Sequence, residues 1–244
     1  MIGPLALHGG GEFLAGDEPF LRAILELAAG AAAERQGPSA TVHIELLTTA
    51  VARHRPEAAF AVGSAALERV AAEADLRPIE VGHARVVDAA SAADPAILDR
   101  LGRADIVYLP GGDPGVVVDI LGGSAALRAV EAARTRGAVV AGASAGAMAL
   151  GEQTWTPDGW VEGFGWAGRL VVVPHAIEAR LAAAREELDR QPGGRELAIA
   201  GLPERAGIIG QPGNWTVAGA VDAWWWPSLA ATPRMAKVSS VIRE

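Results

Sequence analysis

The sequence predicts an α/β fold built on a mostly parallel sheet with helices on both faces, and three observations predict it. Short apolar runs rich in Val, Ile and Leu recur from Ile2 to Pro174, the mark of strands buried on both sides. Stretches with helical periodicity lie between them, the βαβ alternation that gives a parallel sheet. Glycine-rich turns follow several of the runs, at the carboxyl ends where such sheets bind ligands.

Taken in order, Ile2 to Leu7 reads as the first strand and ends in His8-Gly9-Gly10-Gly11-Glu12-Phe13. This glycine run lacks the G-x-G-x-x-G spacing of a dinucleotide fingerprint, and no acidic residue follows the second strand. A backbone brought close to a ligand or another loop accounts for it better. Pro19 to Arg35 has helical periodicity, with Phe20, Ile24, Leu25 and Leu27 on one side. Thr41 to Ala50 reads as the second strand, with His43 at its start or edge. Glu57 to Glu73 forms a long helix opened by His54-Arg55-Pro56. Pro78 to Val81 is a third strand, His83 a loop residue without an evident partner, and Asp94 to Leu101 a short helix.

Asp105 to Pro110 is a strong fourth strand that lands on Gly111-Gly112-Asp113-Pro114. Amides of this loop can point into a site beside the next strand, which makes Gly111, Gly112 and Asp113 candidate binding residues. Asp113 can equally cap the helix that runs from Val116 to Leu121. Ser124 to Arg136 is a further helix. It leads to Gly137–Leu150, G-A-V-V-A-G-A-S-A-G-A-M-A-L, the stretch on which the chemistry turns. Ala138 to Ala141 is a buried strand, Gly142-Ala143-Ser144-Ala145-Gly146 a sharp turn, and Ala147 onward a helix. A nucleophile elbow needs this arrangement, with glycines two before and two after the serine so that strand and helix can pass closely.

Beyond the elbow, Glu152 to Gly168 is polar and rich in Trp and Gly. Leu170 to Val173 is another strand, ending in Pro174-His175, and Ile177 to Leu188 a helix that carries Arg180 and Arg185. Ala206–Ile209, Trp215–Ala218, Val221–Trp226 and Ala236–Ile242 read as short strands, an antiparallel extension of the sheet. Trp224-Trp225-Trp226 reads as packing at a sheet edge or subunit contact. Without a repeat or a dividing linker, residues 1–244 form a single domain, the strands of 205–242 being its extension.

Composition narrows the function. The net charge is −8 with no basic cluster, which argues against a nucleic-acid partner. The absence of cysteine excludes disulfides, thiolate metal sites and a cysteine nucleophile. The apolar part of the elbow segment is too short to span a membrane, and Ile2 to Leu7 lacks the pattern of a signal peptide, so the cytoplasm is the expected compartment. A monomer and a homodimer both remain open.

A serine at its free pKa needs a base within hydrogen-bond reach. Of the five histidines, only His175 follows a buried strand downstream of the serine. A carboxylate must then orient the imidazole. Asp158 is the first choice, on the loop returning from the elbow helix; Glu162 stands next, and Glu152 and Glu204 remain open. The amides of Gly112 and Ala145 would form the oxyanion hole. No step calls for a metal or cofactor.

Four motifs together, L-H-G-G-G-E-F, Y-L-P-G-G-D, G-A-S-A-G-A and V-V-V-P-H, resemble the aspartyl dipeptidase and cyanophycinase family of serine peptidases. The resemblance runs from residue 5 to about residue 210. It implies a three-layer α/β/α sandwich of the class I glutamine amidotransferase-like, flavodoxin-like kind. It further implies Ser144 as nucleophile, His175 as base, an acid after the elbow, and cleavage of peptide or isopeptide bonds next to aspartate. Val173, Pro174 and Ala176 depart from the residues that flank the histidine in cyanophycinases. Arg180, about one helical turn past His175, is the best candidate to recognise an aspartyl carboxylate, while the Trp-rich loop favours a bulkier, less charged partner. The expected activity is hydrolysis of an amide bond in a small peptide through an acyl-enzyme. A binding protein without a working acid, and an esterase with the same triad, are the competing readings.

Overall fold

The computed structural model describes residues 2–76 and 78–243. Its first half runs β1 (Leu5–His8), α1 (Glu18–Gln36), β2 (Val42–Leu47), α2 (Pro56–Glu73), β3 (Ile79–Ala84), α3 (Pro95–Arg103), β4 (Ile106–Leu109), α4 (Pro114–Leu121), α5 (Ala125–Thr135), β5 (Val139–Ala143) and α6 (Ala145–Leu150). The predicted starts have visible causes. Pro56, Pro95 and Pro114 occupy first helical positions, where a missing amide donor costs nothing. Asp94, Asp113 and Ser124 cap α3, α4 and α5 with side-chain oxygens that accept from backbone amides.

The second half contains the hairpin β6 (Gln153–Thr156) and β7 (Gly159–Glu162), then β8 (Leu170–Pro174), α7 (Glu178–Asp189), β9 (Ala198–Leu202), β10 (Ala206–Gln211), β11 (Asn214–Gly219), β12 (Ala223–Trp226), β13 (Arg234–Ala236) and β14 (Val241–Arg243). The main sheet has the order β3-β2-β4-β5-β1-β10-β11-β14. Its first five strands are parallel, and β10, β11 and β14 add the antiparallel extension.

One expectation needs correction. The strands at 170–173 and 221–226 do not join the main sheet; β8, β9, β12 and β13 form a second sheet of four strands, ordered β13-β12-β9-β8. The cause is β9, a strand the sequence reading did not single out. It pairs in parallel with β8 and antiparallel with β12, and so gathers both into its own layer.

Period-two alternation along β12 explains the tryptophan triplet. Trp225 is fully buried between the sheets, whereas Trp224 and Trp226 face α7 with ring centroids 6.0 Å apart. Against the main sheet, α1 and α2 pack Phe20, Ile24, Leu67 and Val70 onto Ile44, Tyr108 and Ala141. On the other face Leu101, Val130 and Ala147 of α3, α5 and α6 meet Leu7, Val107 and Val140, and this core continues into Val172, Ala200 and Trp225 of the second sheet. Among the described residues, no helix is long and apolar enough to cross a membrane.

Candidate active site

Ser144 stands between β5 and α6 with φ 46° and ψ −109°. A non-glycine residue held there stores on the order of 1–3 kcal/mol of strain, tolerated only where the surroundings enforce it. The flanking glycines enforce it by close approach. A Cβ on Gly142 would lie 2.6 Å from the Gly146 carbonyl carbon, and one on Gly146 would lie 2.2 Å from the Leu109 oxygen.

Ser144 Oγ lies 3.1 Å from His175 Nε2, and His175 Nδ1 lies 3.1 Å from Glu204 Oε1. Serine, imidazole and carboxylate thus stand in a hydrogen-bonded line. His175 follows β8 with φ 48°, a second non-glycine residue in the left-handed region. Glu204 follows β9, the strand paired with β8.

The carboxylate beside His175 is therefore not the one expected first. Asp158 sits exposed in the turn of the β6–β7 hairpin, its amide donating to Thr156 Oγ1, while the side-chain partners of His175 are Ser144 and Glu204. Glu152 and Glu162 are also exposed and stay on the hairpin side. The carboxylate at Nδ1 belongs to the segment after β9, because the second sheet ends its two parallel strands side by side.

The glycine run after β1 joins these pieces. Three successive carbonyls each hold one segment of the site: His8 O accepts from Ser144 N at 2.9 Å, Gly9 O from His175 N at 2.8 Å, and Gly10 O from Arg205 N, beside Glu204, at 3.0 Å. A Cβ on Gly10, where φ is 112°, would fall 2.3 Å from His175 Cε1. A side chain there would therefore occupy the volume of the imidazole. His8 is itself fully buried, with Nε2 3.0 Å from Asp17 Oδ1 and Nδ1 accepting from the Gly10 amide.

The loop after β4 forms the facing wall. The Gly111 amide donates to Glu12 Oε1 at 2.7 Å, so it is not available to a ligand. Asp113 spends Oδ1 on the amides of Gly115 and Val116, the capping role. Between them Gly112 adopts φ 148°, pressed against the Ala50 carbonyl. Among the described residues, neither the Gly112 nor the Ala145 amide has a hydrogen-bond partner. Glu12 escaped the sequence reading, although it lies in the same motif as the glycines. Behind it Tyr108 is wholly buried, and burial, reinforced by Asp17 and Glu12, pushes its hydroxyl well above the usual tyrosine range.

Ser144 and His175 open onto a cavity of about 340 Å³, near the lower end of small-ligand sites. Arg180 lines it, exposed, with Nη1 donating to the Pro174 carbonyl at 3.3 Å. The described residues contain no cluster of three or more metal-ligating side chains.

Residues 62–163, from within α2 through β7, match the model of peptidase family S51. The matched stretch takes in the elbow. It contains the Gly111–Gly112 loop and Ser144, while His175 and Glu204 lie beyond it. No curated protein sequence matches the chain. Among solved structures, a peptidase from an acI-B1 Actinobacterium shares the fold with a TM-score of 0.77 at 21% identity, over 100% of this chain and 98% of that one. A candidate peptidase E protein from Listeria monocytogenes EGD-e aligns with a TM-score of 0.58 at 13% identity, over 91% of this chain and 100% of that one. The S51 match and this shared fold agree with the family resemblance read from the four motifs.

Proposed function

We propose that the chain hydrolyses an amide bond in a small peptide through an acyl-enzyme on Ser144. The observation that carries this reading is the line from Ser144 Oγ through His175 to Glu204, with both steps 3.1 Å, at the mouth of a cavity. His175 Nε2 takes the proton as Oγ attacks the carbonyl carbon. Glu204 holds the proton on Nδ1 and stabilises the imidazolium. The unpartnered amides of Gly112 and Ala145 receive the developing oxyanion, each worth roughly 3–4 kcal/mol of transition-state stabilisation. The C–N bond then breaks with the proton passed from His175 to the leaving amine. A water molecule, deprotonated by the same imidazole, releases the acid product and restores Ser144.

Glu204 within hydrogen-bond reach of His175 speaks against the reading as a binding protein without a working acid. The test is a screen of dipeptides, aspartyl ones among them, and of simple esters, run beside Ser144→Ala. The wild type is expected to cleave peptides and to take a fluorophosphonate label, and the variant to do neither while keeping its thermal midpoint. A variant as active as the wild type overturns the assignment. Turnover of esters alone makes the chain an esterase.

A further inference from the structure

Resting on that hydrolase reading, we infer that the cavity beside Ser144 receives an aromatic side chain of the peptide, flanking the bond that is cut, in place of an aspartyl carboxylate. Two walls carry the inference. On one, Trp155 and Trp160 are direct cross-strand partners in the β6–β7 hairpin, so their indoles stand side by side on one face, and both line the cavity. On the other, α7 presents Arg180, Ala183, Ala184 and Glu187, residues at i, i+3, i+4 and i+7 and therefore on one face. The two alanines leave a step opposite the indoles, and Met148 and Val173 close the rest with apolar surface.

The charges stand at the ends of the α7 stripe, about 10 Å apart along the helix axis, and not in its middle. Glu187 Oε2 accepts from the Trp160 indole at 3.2 Å, which braces the hairpin against the helix and keeps an anionic group on the cavity wall. That carboxylate disfavours a second anion in the same slot. Arg180 already donates to the Pro174 carbonyl and lies open to solvent, where pairing is weak. A slot lined by indoles and alanines, by contrast, matches a flat ring, which gains both apolar burial and aromatic contact. A 340 Å³ cavity admits one such side chain with part of the adjoining backbone.

The experiment compares dipeptides with Phe, Leu, Ala or Asp in the first and then the second position, alongside fluorophosphonate labelling of Ser144. The phenylalanyl peptides are expected to exceed the alanyl ones by at least tenfold in kcat/KM at one of the two positions, with the aspartyl ones lowest. Ala184→Leu, which fills the step, is expected to reduce that ratio to near one while Ser144 still labels. A preference for Asp, or labelling without cleavage of any phenylalanyl peptide, overturns the aromatic assignment and leaves the nucleophile standing. Absence of both labelling and turnover instead removes the hydrolase reading, and the aromatic assignment with it.

Discussion

The two sheets deliver their side chains to the site by the same device and with different security. Ser144 follows β5 with φ 46°, and His175 follows β8 with φ 48°. Around Ser144 the backbone is enclosed by β1, β4 and α6, and the elbow residues that flank it are buried. His175 and Glu204 instead hang from the second sheet with side chains 37% and 54% exposed. The proposed nucleophile is thus set by local geometry, whereas the proposed base and acid depend on where one sheet docks against another. The strap between them is the run of carbonyls from His8 to Gly10.

The largest effect is expected where that strap touches the ring. Gly10→Ala puts a Cβ 2.3 Å from His175 Cε1 at a backbone angle that L-residues rarely adopt. Turnover should fall by about 10³-fold, the usual worth of a positioned general base, with roughly 1–3 kcal/mol lost from stability. Paired activity and thermal melts measure this, and full activity in the variant would show that the imidazole has room to spare.

Next comes the exposed end of the line. A buried triad carboxylate is worth about 10⁴-fold. Glu204 is half in water, so Glu204→Gln should cost about 10²-fold in kcat, with little change in KM. Asp158→Asn, on the hairpin, should leave kcat within about twofold, as for a surface change remote from the line. Steady-state kinetics on the two variants separate the second-sheet acid from the hairpin one.

On the main-sheet side Glu12 positions the loop by accepting the Gly111 amide. Glu12→Ala leaves a half-buried donor unpaired and frees the neighbouring Gly112 peptide. A loss of about tenfold in kcat follows from a hydrogen bond worth about 1–2 kcal/mol. Glu12→Gln, which still offers an oxygen, should recover most of it, a rescue read in kcat and not in KM.

The smallest effect lies far from the chemistry. His83, expected in a loop without a partner, belongs to β3. It lies 2.8 Å from Thr48 Oγ1 by Nε2 and stacks on Phe60. Burial lowers its pKa below the ordinary 6.5. The unfolded chain therefore takes up the proton first, and the contribution, present above 6.5, is lost as the pH falls through the lower folded value. His83→Gln should flatten that acid-side decline in denaturant midpoints.

Much of the fold was legible because the parallel half signals itself locally. Buried strands read as apolar runs, and Asp94, Asp113 and Ser124 stand where caps belong. The elbow was legible through its G-x-S-x-G spacing: Gly142 is demanded by Gly146, four residues on, although Gly146 itself is demanded by Leu109 of β4. Glu204 was only one of four open carboxylates, because Ala198–Leu202, A-I-A-G-L, is too short and too rich in small residues to announce a strand. A signal was nonetheless present. Leu109-Pro110-Gly111, Val173-Pro174-His175 and Leu202-Pro203-Glu204 each close a strand with a proline, which supplies no ladder donor, and hand over to a residue of the site. Glu12 had no such signal, as its partner amide lies 99 positions away.

Because the proposed acid–base pair hangs on one layer and the proposed attacking oxygen on another, function should report on how those layers are aligned. In a urea titration the loss of turnover is expected at lower concentration than the loss of far-ultraviolet dichroism. Sliding the small sheet by a fraction of an ångström separates the reacting groups well before any strand has melted.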